Sequence, residues 1–239
     1  MTELEKKIYS RYGAPPKTPK KEETISDIIA RGRLNAVKSE QNTEIEWDEQ
    51  NISEYFYKVV NQLCNFRNRS FRLTDDFKEG CEAVINWING GYLENRWLLL
   101  YGCVGNGKTT AAKAAMSVFQ KMGQNGLIKN AFDISLLYND IEKKQRAADE
   151  YMLLSNTVLL CIDDLGTESN PAALSEILYH RYNNMLATVF TTNLDYSELE
   201  AKYGARIFDR FEELVETVHF AGESFRRKIV QQKIEFNGF

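Results

Sequence analysis

The stretch LLLYGCVGNGKTTAAKAA, residues 98–115, admits few folds. An apolar run stops at three glycines within six residues, and Lys-Thr-Thr then opens an alanine-rich segment. A continuous apolar run of this length is a strand buried on both faces, as in a parallel sheet. Gly102, Gly105 and Gly107 let the backbone turn its N–H groups inward with no Cβ in the way. The segment that follows predicts a helix over 108–122, stopped by Gly123, whose positive dipole end faces the loop. Gly102 to Thr109 fits G-x-x-x-x-G-K-[ST], the pattern of a phosphate cradle. In it Lys108 reaches the β- and γ-phosphates and the Thr109 hydroxyl serves Mg2+. Candidate nucleotide-binding residues are therefore Gly102, Gly105, Asn106, Gly107, Lys108, Thr109 and Thr110, with ATP and Mg2+ as the implied cofactors.

A bound triphosphate needs a second acidic partner. The segment TVLLCID, 157–163, predicts a buried strand running into Asp163-Asp164. A carboxylate there would face the loop across the sheet, so Asp163 is the candidate Mg2+ partner. Asp164 would orient or deprotonate an attacking water, and Glu168 is a weaker third acid. A further strand over 188–193 ends in Thr-Thr-Asn. Asn193 is placed to hold water against the γ-phosphate, with Thr192 behind it. In YGARIFDRFEEL, Arg206 and Arg210 are four apart and share a helical face. An arginine on an exposed helix can complete a neighbouring subunit's site. The plain alternative is surface pairing with Asp209, Glu212 or Glu213, which is common and weak.

Apolar strands alternate with helical patterns from residue 76 onward. Helices are predicted over 76–90, 134–154 (one or two), 171–185, 196–202 and 204–213, with strands over 96–101, 127–133 and 215–220. The alternation implies an α/β architecture of three layers, helices covering both faces of a parallel sheet. Ligands of such sheets sit at the carboxyl ends of the strands. The chain divides into 1–75, an N-terminal arm and helical partner-binding region, and 76–239, the nucleotide-binding domain. Three of the four prolines lie in APPKTPKKEE, which reads as an extended arm, with a short helix around Ser26–Ala36. A helix over 52–65 follows. Phe66 and Phe71 then alternate with Arg67, Arg69 and Arg72, a mixture that could stack on single-stranded bases or serve as a linker.

Charge and cysteines narrow the classes. With 30 basic and 34 acidic residues the net charge is −4, which argues against a chain coated in nucleic acid while leaving room for a local basic strip. Four scattered cysteines without a C-x-x-C pair speak against a zinc site or a disulfide framework and fit a reducing, cytoplasmic setting. No apolar run approaches the ~20 residues of a membrane span.

GCVGNGKTT, LLCIDDLGTE, VFTTNL and YGARIFDRF, in that order, resemble the AAA+ ATPases of the DnaC/IstB type. These are helicase loaders of bacterial replication and ATPase subunits of transposition systems. The resemblance spans roughly 76–228. It implies that Lys108 and Thr109 are Walker A residues, Asp163 and Asp164 Walker B residues, and Asn193 sensor 1. It further implies that Arg210 is an arginine finger acting in trans, and that Arg226 in GESFRR contacts nucleotide or a neighbour. The implied activity is ATP hydrolysis coupled to self-assembly through the ATP site on single-stranded DNA, with a replicative helicase (or a transposase) as partner. A basic strip of Lys143, Lys144 and Arg146 maps to the helix that lines the DNA path in that family. Two departures stand out. The second Walker B acid is Asp where many AAA+ enzymes have Glu, and too little chain follows residue 220 for a large helical lid. A P-loop kinase acting on a small metabolite is the rival of another class. The lid arginines and acceptor pocket it needs are not recognisable.

Overall fold

The structure, a computed structural model, describes residues 47–66, 73–136 and 144–225. The expected helix at 26–36, the proline-containing arm and Phe71 with its flanking arginines lie outside the described residues, as do Lys143 and Arg226.

Strands β1 (Trp97–Tyr101), β2 (Gly126–Asn130), β3 (Leu159–Leu165), β4 (Ala187–Thr192) and β5 (Val215–His219) form one sheet in the order β2-β3-β4-β1-β5. Every neighbouring pair is parallel. Parallel strands need crossovers, and helices supply them on both faces. The helices are α1 (Glu49–Phe66), α2 (Asp75–Asn86), α3 (Lys108–Lys121), α4 (Ala131–Leu136), α5 (Lys144–Asn156), α6 (Ala172–Asn183), α7 (Tyr196–Tyr203) and α8 (Ala205–Leu214). The expected three-layer parallel fold is therefore the observed one.

Alternate residues of each strand feed two separate cores. Leu98, Leu100, Cys161 and Val189 pack under α1, α2 and α3. Trp97, Leu99, Leu160, Ile162 and Phe190 pack under α4, α6, α7 and α8. On the first face α3 presents Ala111, Ala112, Ala114 and Ala115, all essentially buried. These short side chains let α1 approach, and its Ile52, Phe56, Val59 and Val60 join the same cluster. On the second face Trp97 meets Phe190 and Phe211 edge-on, with ring centroids 5.4 and 5.0 Å apart. Such aromatic pairs contribute about 0.5–1.5 kcal/mol beyond their burial. Among the described residues no helix is long and apolar enough to cross a membrane.

Three boundaries differ from the sequence expectation. The strand expected over 127–133 ends at Asn130, because the Asn130 side chain accepts a hydrogen bond from the Phe132 N–H (2.9 Å) and starts α4. The helix expected over 76–90 passes into a π-helical turn, Trp87–Gly91, with Gly90 at φ 140°. The acidic strand runs two residues further than expected and holds Asp163 and Asp164 inside it, at a register shift between Ile162 and Leu165.

One buried cation ties the second face together. Arg181 is fully buried on α6. It donates to Thr188 Oγ1 (2.9 Å) and to the carbonyls of Leu154 (2.9 Å), Thr157 (2.8 Å) and Ala187 (2.6 Å). All four acceptors are neutral, and burial pulls the guanidinium down to about 9. The contacts cap the carboxyl end of α5 and fix it to the start of β4. Replacement by methionine keeps much of the volume and strands three carbonyls, so R181M should lower stability by about 3 kcal/mol or more, read from the denaturant midpoint. The thiols make a second check. Cys103 is exposed, whereas burial pushes Cys81 and Cys161 well above the ordinary thiol range. An alkylating reagent should label Cys103 in the native protein and reach Cys81 and Cys161 only on unfolding.

Candidate nucleotide-binding site

The loop between β1 and α3 lies at the carboxyl edge of the sheet, beside the ends of β3 and β4. Gly102, Gly105 and Gly107 have φ of 135°, 88° and 100°, conformations that other residues rarely adopt. Space is also closed to a side chain. A Cβ at Gly102 would run into the Phe220 carbonyl oxygen, and one at Gly107 into the Phe77 ring. The loop is held from behind as well, since Phe225 N–H donates to Gly105 O (3.1 Å) and the Asn106 amide to Phe220 O. Thr110 N–H and Ala111 N–H bond back to Gly107 O, which closes the first turn of α3.

Lys108 is the first residue of that helix and only 6% exposed. Its ammonium donates to Gly102 O (2.7 Å), Cys103 O (2.7 Å), Asn106 Oδ1 (3.1 Å) and Asn193 Oδ1 (2.9 Å). These four oxygens are neutral and solvate the charge. The helix's own positive end lies beneath it. Cation, dipole and glycine cradle together suit an anion such as a polyphosphate.

Thr109 Oγ1 donates to Asp163 Oδ1 (2.8 Å), joining α3 to β3. A hydroxyl beside a carboxylate at such a cradle is a hard-oxygen donor set, which fits Mg2+. Asp164 sits next to it at φ 57°. Four groups hold it there. Its N–H donates to Thr191 Oγ1 (2.9 Å), its carbonyl accepts from Thr167 Oγ1 (2.8 Å) and Thr167 N–H (3.1 Å), and its Oδ2 accepts from the Asn130 amide (3.3 Å). A strained acid inside a strand bulge is a common feature of functional sites.

Glu168, the third acid considered, is buried. Its carboxylate accepts from the Gly166 N–H (2.9 Å) and the Tyr203 hydroxyl, with Lys202 Nζ at 3.4 Å. Burial and that bond push the Tyr203 phenol well above its ordinary range. Glu168 thus ties the turn after Asp164 to α7.

The predicted residues Lys108, Thr109, Asp163, Asp164 and Asn193 are brought together. Arg210 is elsewhere, on α8. Its guanidinium lies over the Tyr179 and Tyr182 rings of α6 (4.8 and 4.9 Å) and donates to the Arg206 carbonyl. Arg206 lies over Tyr179 at 5.2 Å. Sequence reasoning missed Asn130 and Thr191. A polar residue ending the neighbouring strand was the signal for the first, and the opening position of the TTN run, overshadowed by Asn193, hid the second.

The fold and this site define a three-layer α/β domain with a parallel sheet and a glycine-rich loop suited to phosphate at its carboxyl edge. No family model matches the sequence, and no curated protein sequence matches it. Solved structures do. The chain is similar to DnaI (TM-score 0.55, 22% identity, covering 63% of this chain and 88% of that one). It is also similar to the DnaC helicase loader (0.55, 20%, covering 70% and 98%). A third likeness is AMPPCP-bound DnaA from Aquifex aeolicus (0.54, 22%, covering 71% of this chain), of which the chain spans about half, 54%. At these identities the shared property is the fold.

Alanine at Gly102 should distort the loop through both its φ and its collision with Phe220. G102A is expected to lose most nucleotide binding while keeping the far-ultraviolet circular dichroism of the native chain. Unchanged binding would count against this geometry.

Proposed function

We propose that this protein is an ATP-hydrolysing DNA replication factor that assembles with its own copies on single-stranded DNA and loads or regulates a replicative helicase. The observation that carries the reading is the convergence of Lys108, Thr109, Asp163 and Asn193 on one glycine cradle. Likeness in fold to the DnaC helicase loader and to DnaI supports the choice of client.

In this reading the loop amides and Lys108 bind the phosphates. Thr109 and Asp163 would hold Mg2+, which supplies charge neutralisation at the β- and γ-phosphates. Asp164 accepts a proton from, or orients, the attacking water, and Asn193 positions that water beside the Lys108 ammonium. Arg226 contacts nucleotide or a neighbour. Arg210 acts on the site of an adjacent copy, so assembly completes each site. The N-terminal region, 1–75, provides partner contacts.

Three measurements test this. Lys108→Ala should weaken ATP binding roughly 10–100-fold, the worth of a charged hydrogen bond, and native affinity in that variant would refute the cradle. Arg210→Ala should bind ATP and hydrolyse it about 1,000-fold more slowly. Mixing it with Asp164→Asn should restore turnover, because a mixed interface pairs an intact acid with an intact arginine. No recovery at any ratio rules out action in trans. Stimulation of turnover by single-stranded DNA, and co-purification with a replicative helicase, test the client.

A further inference from the structure

Thr191 is fully buried at the carboxyl end of β4 and carries one hydroxyl group. That group donates to Asp163 Oδ1 (2.6 Å) and accepts from the Asp164 N–H (2.9 Å). One side chain therefore grips both adjacent acids, one through its carboxylate and the other through its backbone. The polarity of the arrangement is fixed. The single proton goes to Asp163 Oδ1, and a lone pair takes the amide.

Asp163 Oδ1 has a second hydroxyl donor, Thr109, at 2.8 Å. The two differ in what they are free to do. Thr109 lies on the cradle helix, half-buried, and in the proposed reading its oxygen is needed by a cation. A cation takes a lone pair of that oxygen and can leave its one proton on Asp163. The Thr191 bond comes from a buried strand and serves no cation. The same hydroxyl keeps Asp164 at φ 57°, a conformation that costs energy for a residue with a side chain.

We propose that Thr191 is a positioning residue that locks Asp163 and Asp164 into one unit, so that the Asp163 carboxylate stays aimed at the cradle when Thr109 serves a divalent cation. The inference rests on the nucleotide-site reading above. It assigns the Mg2+ requirement of the site in part to a group that touches neither metal nor nucleotide.

The control lies next door. Thr192 is equally buried, and its hydroxyl also makes two hydrogen bonds, donating to Leu165 O (2.7 Å) and accepting from Leu194 N–H (3.1 Å). Neither bond reaches the two acids. Thr191→Val, Thr191→Ser and Thr192→Val are compared in the full chain, by titrating Mg2+ against binding of a fluorescent ATP analogue, with ATP turnover alongside. T191V should raise the Mg2+ concentration for half-maximal binding about 10-fold, the scale on which outer partners of metal ligands act. Nucleotide binding in EDTA should stay native-like, and turnover should fall by at least the same factor. T191S keeps the hydroxyl and should remain within about 3-fold of native, and T192V should keep the native Mg2+ requirement.

Equal shifts in T191V and T192V, or in T191V and T191S, overturn the proposal, because then lost packing and not the shared hydroxyl sets the requirement. Should T191V fail to fold, Thr191→Cys, with its weak S–H donor, is read against the same limits. A native chain that responds to Mg2+ beside a T191V that responds identically sinks this inference alone. A native chain whose nucleotide binding ignores Mg2+ sinks the reading of the site and this inference with it.

Discussion

A lysine ammonium buried at the amino end of a helix is the constraint from which most of this architecture follows. The aligned peptides of α3 place about half a positive charge where Lys108 already carries a full one. Left there without acceptors, the group would be expelled to water. Four neutral oxygens keep it in place, three from the loop itself and one from Asn193 on a distant strand end. Gly102 and Cys103 offer carbonyls only because the loop turns through positive φ at its glycines. Asn106 is aimed by its bond to Phe220 after β5, and Asn193 by the end of β4. Both strands flank β1 in the sheet, so the strand order is what delivers the last two acceptors.

The acids show the complementary problem. Asp164 holds a backbone conformation that costs about 1–3 kcal/mol for such a residue. Its hydrogen bonds to Thr191, Thr167 and Asn130 over-determine it, and Glu168, Lys202 and Tyr203 fix the turn that follows. Strain of this size is sustainable only on a rigid base. The aromatic packing of Trp97, Phe190 and Phe211, and the Arg181 clamp on Thr188, brace the amino-end halves of strands β1 and β4 whose carboxyl ends carry the site.

Sequence reasoning reached the central strands β1, β3 and β4 because they are buried on both faces and read as largely apolar runs. It reached the glycine loop because only one backbone path suits those glycines. Boundaries were harder, since they are set by contacts between distant residues. Asn130 ends β2 through its own side chain, a local signal that the apolar pattern of LIKNAFD outweighed. Helix α1 was grouped with the N-terminal region, yet it lies on the alanine face of α3. The run of alanines at 111, 112, 114 and 115 was the available hint, because such short side chains leave room for another helix. Arg181 occupies the same stripe as Leu174, Ile177 and Leu178, where a charge at an apolar helical position foretells a buried role. Thr191 carried no sequence signal of its own, since its importance lies in two partners on another strand.

The two arginines of α8 were open to a plainer reading, surface pairing with Asp209, Glu212 or Glu213. Among the described ion pairs none involves Arg206 or Arg210, and Glu213 is taken by the Tyr182 hydroxyl. Tyrosine faces hold the guanidinium groups instead, at 4.8 to 5.2 Å. A cation–π contact at an exposed site contributes only about 0.5–1 kcal/mol, and it leaves the positive charge uncancelled. A carboxylate partner would have neutralised that charge and would have to be displaced before the arginine could meet a phosphate. A guanidinium seated on rings keeps that charge, and Arg210 is held besides by its bond to the Arg206 carbonyl.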